Sequence, residues 1–231
     1  MATISSALQA VKQRIAAAAC GAGRAPEEIV LLVVSKTFPA QAVREAWAAG
    51  QRAFGESYVQ EAVDKIAALG DVPLEWHFIG PLQSNKTRPV AEHFAWVHGI
   101  ERLKIAERLS AQRPAGMPDI QVCLQVNVSG EASKSGVSPD ELVPLAQAVR
   151  ALPHLKLRGL MAIPEPTDDR ALQRRRFAQL RNLLEQLNAQ GYALDTLSMG
   201  MSDDLEAAVA EGATLVRVGS AIFGARAAAG K

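Results

Sequence analysis

Lys36 is the residue of this sequence best placed to do covalent chemistry. It directly follows the apolar run IVLLVVS at residues 29–35, which is typical of a buried parallel strand. Burial at such a strand end lowers the pKa of a lysine by up to about 3–5 units, and the neutral amine so formed can attack an aldehyde. The alternative is a lysine that ends a strand and extends its ammonium group to solvent, and position alone does not separate the two.

Two segments that contain glycine and serine, SMGMS and RVGS, predict an anion site because each precedes a helical pattern. Gly200 and Gly219 let backbone N–H groups approach an anion closely. Ser202 and Ser220 add hydroxyl donors, and a helix N-terminus favours negative charge. These residues fit a phosphate group, although Ser202 can equally cap its helix and Gly219 can equally form a turn.

Two further polar residues fall inside predicted strands: Arg217 between two valines, and His77 in WHFIG. A charge in a core strand costs stability unless it is paired, so Arg217 either pairs with a carboxylate such as Glu56 or meets a nitrogen atom of a ligand. A histidine in a strand is more often a hydrogen-bonded core residue than a base. No second histidine or cysteine is spaced with His77 as a metal site or a triad, and the strand ends lack the paired carboxylates of a glycosidase.

Eight strand patterns alternate with helical patterns after one leading helix at residues 5–20, which indicates a parallel sheet. Eight repeats favour a closed (β/α)8 TIM barrel, an α/β fold, with an extra N-terminal helix and a single domain over residues 1–231. An open doubly wound sheet is the alternative, but the turn after the first strand reads SKTFP and lacks a dinucleotide-binding glycine pattern. The predicted strands are residues 29–35, 52–56, 74–80, 95–100, 120–128, 155–163, 194–200 and 214–219.

The composition argues against several functional classes. The 25 basic and 24 acidic residues are spread along the chain, so no nucleic-acid-binding patch is indicated. No uncharged apolar run approaches the roughly 18 residues that span a membrane, and Lys12 and Arg14 interrupt any signal-peptide core. Cys20 and Cys123 predict two buried free thiols in a reducing compartment. We expect a cytoplasmic protein that binds neither nucleic acid nor membrane.

Five segments of the sequence together identify a protein family far more specifically than any one of them does. They are VVSKT at 33–37, WHFIGPLQSNK at 76–86, LRGLMAI at 157–163, SMGMSDDLEAAV at 198–209 and VRVGSAIFGAR at 216–226. With them, nearly the whole chain resembles the pyridoxal phosphate homeostasis proteins, whose barrel is similar to the N-terminal domain of alanine racemase. The resemblance implies pyridoxal 5′-phosphate as the cofactor. Ser57 stands where the family usually has an asparagine. The implied site residues are Lys36 as the Schiff-base lysine, Ser202, Gly219 and Ser220 around the phosphate, Arg217 facing the pyridine nitrogen, and Met161 and Met199 lining the cofactor pocket.

Three functions could use such a lysine and phosphate site. The first is a homeostasis protein that stores or carries pyridoxal phosphate inside the cell without robust turnover. The second is an amino-acid racemase of the alanine racemase type, which also needs a β-rich domain and a tyrosine from a partner subunit; the tyrosines here are Tyr58 and Tyr192. The third is a Schiff-base aldolase, which needs an acid or base beside Lys36, with Glu56 and His77 as candidates. We expect the first, with no catalytic residue or metal, as a monomer whose candidate partners are apo-enzymes that need the cofactor.

Overall fold

The computed structural model describes residues 3–130 and 135–224, and it forms a closed barrel of eight parallel strands. Each strand pairs with the next along the chain, and β1 pairs with β8, which closes the sheet. The (β/α)8 barrel predicted from the alternation of patterns is confirmed. The strands are β1 (Val30–Val34), β2 (Ala53–Glu56), β3 (Glu75–Phe78), β4 (Trp96–Ile100), β5 (Ile120–Gln125), β6 (Leu155–Met161), β7 (Thr196–Ser198) and β8 (Leu215–Val218).

The helices follow the strands in the expected order, and the extra N-terminal helix is present. That first helix buries an apolar stripe at helical spacing, and its N-terminus is capped by the Thr3 hydroxyl, which accepts from the amide of Ser6 at 3.1 Å. The helices are α1 (Ile4–Gly21), α2 (Ala40–Ala48), α3 (Val59–Ala68), α4 (Thr87–His93), α5 (Leu103–Gln112), α6 (Pro139–Arg150), α7 (Arg170–Ala189), α8 (Leu205–Ala210) and α9 (Ser220–Phe223), with 3₁₀ turns at Pro26–Glu28 and Ser84–Lys86.

Two details of the prediction are wrong. Cys20 is exposed, and only Cys123 is a buried thiol. The buried stripe of α1 consists of Leu8, Val11, Ile15 and Ala19, so Cys20 lies one residue beyond it on the helix surface. The strands are also shorter than predicted: β7 ends at Ser198, because Gly200 with φ of +95° turns the chain out of the sheet.

Within the described residues, no helix has both the length and the apolar character needed to cross a membrane. The same part of the chain contains no group of three or more His, Cys, Asp or Glu side chains that could hold a metal ion. Ala225 and Arg226, the last two residues of the final sequence motif, lie outside the described ranges.

Candidate functional site

A cavity of about 350 Å³ opens where the barrel strands end, which is the face that carries the active site in (β/α)8 barrels. Five of the eight predicted site residues line it: Lys36, Ser202, Arg217, Gly219 and Ser220. The remaining wall is formed by Val34, Ser57, Ile79, Ile163, Met201 and Asp203. Residues more than 160 positions apart in the sequence are therefore brought to one cavity by the closure of β8 onto β1.

Lys36 lies two residues beyond the end of β1 and is half-buried in the cavity wall. The next residue, Thr37, has a φ of +70°, a left-handed conformation that costs a non-glycine residue energy and persists only when surrounding contacts impose it. Its backbone amide donates to the Glu61 carboxylate at 2.6 Å. This contact from α3 fixes the turn that begins at Lys36.

Lys65, which the sequence reasoning missed, holds the same turn from the other side. Its ammonium group is buried and donates to the carbonyl of Ser35 at 2.8 Å, to Glu56 Oε1 at 2.6 Å and to Glu61 Oε1 at 3.0 Å. The residues on both sides of Lys36 are thus tied, directly or through Glu61, to one buried cation. The sequence signal was a lysine three residues after Ala62, on the face of α3 that is buried.

Glu56 is fully buried beside Lys65, and the Ser35 hydroxyl also donates to its Oε1 atom at 2.6 Å. Its second oxygen, Oε2, has no hydrogen-bond partner among the described residues. Burial raises the pKa of the Glu56 carboxyl, while the charge and hydrogen bond of Lys65 act in the opposite direction. Glu56 does not line the cavity, which argues against the acid or base role beside Lys36 for which it was a candidate.

Arg217 is buried at the cavity wall, where it donates to backbone and hydroxyl oxygens. The alternative that Arg217 pairs with Glu56 is therefore wrong. Its Nη1 donates to the carbonyl oxygen of Ser198 at 2.6 Å and to the Ser198 hydroxyl at 2.7 Å. Its Nη2 donates to the carbonyl of Ala162 at 2.9 Å. Burial lowers the pKa of Arg217 to about 10, which leaves it positively charged at neutral pH.

The two serines of the predicted anion site face each other, with their Oγ atoms 3.5 Å apart. Ser220 is the first residue of α9, and Gly219 precedes it. A Cβ atom on Gly219 would lie 2.9 Å from the Val34 carbonyl oxygen, so only glycine allows the end of β8 to approach the end of β1 this closely. The cavity rim also carries the exposed carboxylate of Asp203, which opposes an anion and limits the net charge of the site.

Three predicted residues do not line the cavity. Gly200 lies in the loop after β7 and packs against α8: its φ is +95°, and an added Cβ would lie 2.6 Å from the Cβ of Ala208. Met161 and Met199 are buried, with 1% and 0% of their surface exposed, and the methionine on the cavity wall is Met201. Roles for Met161 and Met199 beside a ligand stay predictions.

His77 does not reach this cavity. It is a buried core histidine that hydrogen-bonds to Glu75 and to His98, a residue that the sequence reasoning did not single out. This position argues against His77 as the base that an aldolase would need beside Lys36.

The family model described as the N-terminal domain of alanine racemase matches residues 7–227 of the chain. The protein named pyridoxal phosphate homeostasis protein in Pseudomonas aeruginosa is 66% identical over 226 residues, which cover 98% of this chain and 97% of that protein. The protein of the same name in Escherichia coli K12 is 57% identical over 222 residues, covering 95% of each.

Among solved structures, PipY of Synechococcus elongatus PCC7942, with PLP bound, superposes with a TM-score of 0.84 at 38% identity and covers 96% of this chain and 100% of that chain. Alanine racemase from Corynebacterium glutamicum superposes with a TM-score of 0.68 at 18% identity, over 97% of this chain and 62% of the racemase, which is a likeness of fold alone.

Proposed function

This chain belongs to the alanine racemase N-terminal domain family, together with the pyridoxal phosphate homeostasis proteins, and we propose that it binds pyridoxal 5′-phosphate and serves in the homeostasis of that cofactor. In this proposal Lys36 holds the cofactor as a Schiff base, and the protein stores or carries it in the cytoplasm without robust turnover. The whole of residues 1–231 acts as one domain, as a monomer, with cofactor-dependent apo-enzymes as recipients.

The observation that carries the proposal is that Lys36, Arg217 and the serines of the predicted anion site line a single cavity of about 350 Å³. That volume lies within the range of roughly 300–1,000 Å³ that small-molecule sites occupy. Lys36 supplies the amine, and Ser202 and Ser220 supply hydroxyl donors for a phosphate group. Arg217 uses three of its five N–H hydrogens on Ser198 and Ala162, so two remain to face a ring nitrogen. The described residues therefore fit the cofactor.

Lys36 would hold the cofactor covalently through its Nζ amine, with Ser202 and Ser220 at the phosphate group and Arg217 at the ring nitrogen. When bound, the cofactor supplies an aldehyde carbon and an electron-accepting ring. The chain's part is to present a half-buried amine on a fixed turn, because Lys65 and Glu61 hold the backbone on both sides of Lys36.

The permanent charge of Arg217 would disfavour a proton on the pyridine nitrogen, because like charges repel, and would weaken the ring as an electron sink. Racemases of this type also carry an arginine there, so this charge does not separate a holding function from a racemase. The residues of the cavity wall do favour a holding function. Among the described residues, the cavity wall carries neither a tyrosine nor a histidine that could move a proton on the face of the cofactor opposite Lys36. Such proton transfer is worth about 10²–10⁴ in rate.

The proposal is tested by adding pyridoxal phosphate to the purified protein, recording its visible absorption and reducing it with borohydride. We expect a visible band that borohydride removes, with the added mass on the peptide that contains Lys36. Lys36→Ala should lose the band and keep its fold by circular dichroism. The matched control is Lys86→Ala, which alters an exposed lysine of a 3₁₀ turn outside the cavity and should keep the band. An undiminished band in Lys36→Ala refutes the assignment of the lysine.

A further inference from the structure

A row of five polar side chains crosses the barrel interior, each hydrogen-bonded to the next. Arg217 Nη1 lies 2.7 Å from Ser198 Oγ, and Ser198 Oγ lies 2.7 Å from His98 Nδ1. His98 Nε2 lies 2.9 Å from His77 Nδ1, and His77 Nε2 lies 2.8 Å from Glu75 Oε1. Four of the five side chains are buried, and Glu75, at one end of the row, keeps about half of its side chain exposed. We call this row the interior chain.

The interior chain joins opposite ends of the barrel. Arg217 lines the cavity that contains Lys36, where the strands end. Glu75 and His77 line a second cavity of about 420 Å³. Its wall includes Glu75, Trp96 and Leu215, the first residues of β3, β4 and β8, so it lies where the strands begin. The sheet register thus places one line of hydrogen bonds along the barrel axis from solvent on one face to the proposed cofactor site on the other.

Assigning a donor and an acceptor to each hydrogen bond shows that all the bonds of the interior chain point the same way. Arg217 can only donate, so the Ser198 hydroxyl accepts from it. At the far end, the hydrogen bond from His77 lowers the pKa of Glu75, so Glu75 is an ionised acceptor and His77 carries its hydrogen on Nε2. Burial lowers the pKa of His77, and lowers that of His98 well below its usual range, so both imidazoles are neutral and each carries one hydrogen.

With both rings neutral, one arrangement satisfies every contact. His77 Nδ1 is bare and accepts from His98 Nε2–H. His98 Nδ1 is then bare and accepts from the Ser198 hydroxyl, which in turn accepts from Arg217. All the hydrogens point away from Arg217 and toward Glu75, so the bond dipoles add, and a cation and an anion stand at the two ends. An extra proton on His77 Nδ1 would face the Nε2–H of His98, and an extra proton on His98 Nδ1 would face the hydroxyl hydrogen of Ser198.

We propose that Ser198, His98 and His77 form a one-directional hydrogen-bond chain that positions the Arg217 guanidinium against the ring nitrogen of the bound ligand and connects it to Glu75. Ser198, His98 and His77 are positioning residues, since they act through Arg217. The ligand in this inference rests on the proposed function, whereas the direction of the chain is a property of the protein alone.

The residues around the interior chain fix the orientation of its side chains, and the neighbouring charged groups are engaged in other ion pairs. Trp96 stacks on the His77 ring, with centroids 5.3 Å apart and an interplanar angle of 4°, which fixes the orientation of that imidazole. The other charged side chains of the second cavity form ion pairs with each other: Arg158 with Asp195 at 2.7 Å, and Arg24 with Glu28 at 3.1 Å. On the opposite side, the carboxylate of Asp204 raises the pKa of Arg217 against the effect of burial.

The direction of the chain is tested on the ligand-free protein by nitrogen-15 NMR of the histidine rings. We expect both His77 and His98 to be neutral, with the hydrogen on Nε2, at about pH 7.5, because burial lowers the pKa of both rings. His93 and His154 are outside the interior chain, so their ring signals must be assigned separately from those of His77 and His98. A charged ring, or a hydrogen on Nδ1 of His98, overturns the proposed direction whether or not the protein binds pyridoxal phosphate.

The positioning role is tested with Ser198→Ala and two ligands: pyridoxal phosphate, and its 1-deaza analogue, in which a C–H group replaces the ring nitrogen. We expect Ser198→Ala to raise the dissociation constant of pyridoxal phosphate about tenfold, the worth of one hydrogen bond to a charged group, and to leave that of the analogue within about twofold. Ser198→Thr, which keeps the hydroxyl, should restore tight binding. Thr196→Val removes a hydroxyl two residues away on the same strand, outside the chain, and should change neither constant.

Equal weakening of both ligands by Ser198→Ala, or no change for pyridoxal phosphate, overturns the positioning role. A wild-type protein that binds neither ligand refutes the proposed function, and the NMR result on the ligand-free protein then decides the direction of the chain separately.

Discussion

Lys65→Met removes the buried ammonium group that pairs with Glu56 and holds the carbonyl of Ser35. Both side chains of the pair are buried, with 4% of Lys65 and none of Glu56 exposed. Removing one partner of a buried ion pair costs about 3–5 kcal/mol, because the other charge is left without compensation. We expect a loss of this size in the free energy of unfolding, measured by guanidinium denaturation.

The double variant Lys65→Met/Glu56→Gln removes both charges, and we expect it to recover stability to within about 1–2 kcal/mol of the wild type. Arg44→Met, which breaks the exposed pair of Arg44 with Asp71 at 2.7 Å, is the matched control and should have a much smaller effect. If Lys65→Met is as stable as Arg44→Met, or the double variant is no better than Lys65→Met, the reasoning about this buried pair is refuted.

The loss of stability in Lys65→Met should also depend on pH, and the direction of that dependence follows from the pKa of Glu56. Burial raises the folded-state pKa of Glu56 above its usual value even in the presence of Lys65, and without Lys65 that pKa rises further. A carboxyl whose pKa is raised by folding contributes stability below its unfolded pKa and loses it as the pH rises through the folded one. The deficit of Lys65→Met should therefore be smaller at about pH 5 than at about pH 8, and an equal deficit at both would contradict the role assigned to Glu56.

Three further predictions concern the cavity. Pyridoxal, which lacks the phosphate, should bind at least about a hundredfold more weakly than pyridoxal phosphate, because two or three hydrogen bonds to a charged group are lost; comparable dissociation constants would argue against the anion site. Gly219→Ala should weaken cofactor binding, because its Cβ would lie 2.9 Å from the Val34 carbonyl oxygen, whereas Gly21→Ala, with no atom within 4 Å of the added Cβ, should bind normally in the same titration. In Lys65→Met the visible band should be weaker at equal cofactor concentration, because the turn that carries Lys36 loses its contact to Ser35, and a wild-type band would show that the turn is held without it.

The sequence predicted the barrel well because each strand is a short apolar run followed by a helical pattern, and both signals are local. It also predicted that Lys36, Ser202, Arg217, Gly219 and Ser220 lie together, since the ends of the strands meet at one face of a barrel. Their roles toward a cofactor stay predictions. The prediction that Cys20 is buried was wrong, although the spacing of the apolar stripe of α1 already leaves Cys20 outside that stripe.

Contacts between distant segments could not be predicted in this way. The Lys65 pair depends on how α3 packs against the ends of β1 and β2, and the contact of His98 with Ser198 joins residues 100 positions apart. The methionine on the cavity wall depends on the residue at which the chain leaves β7. The prediction extended that strand to Gly200, and the structure ends it at Ser198, with Met199 buried and Met201 on the wall.

The central claim, a protein that holds its cofactor and does not turn substrates over, is tested most directly by incubating the protein loaded with pyridoxal phosphate with each L-amino acid in deuterium oxide. Exchange at Cα, racemisation and release of keto acid are followed together by NMR. The account predicts that every one of these rates stays far below that of an ordinary enzyme. Turnover of any amino acid at about 1 s⁻¹ or faster would contradict it and favour a racemase.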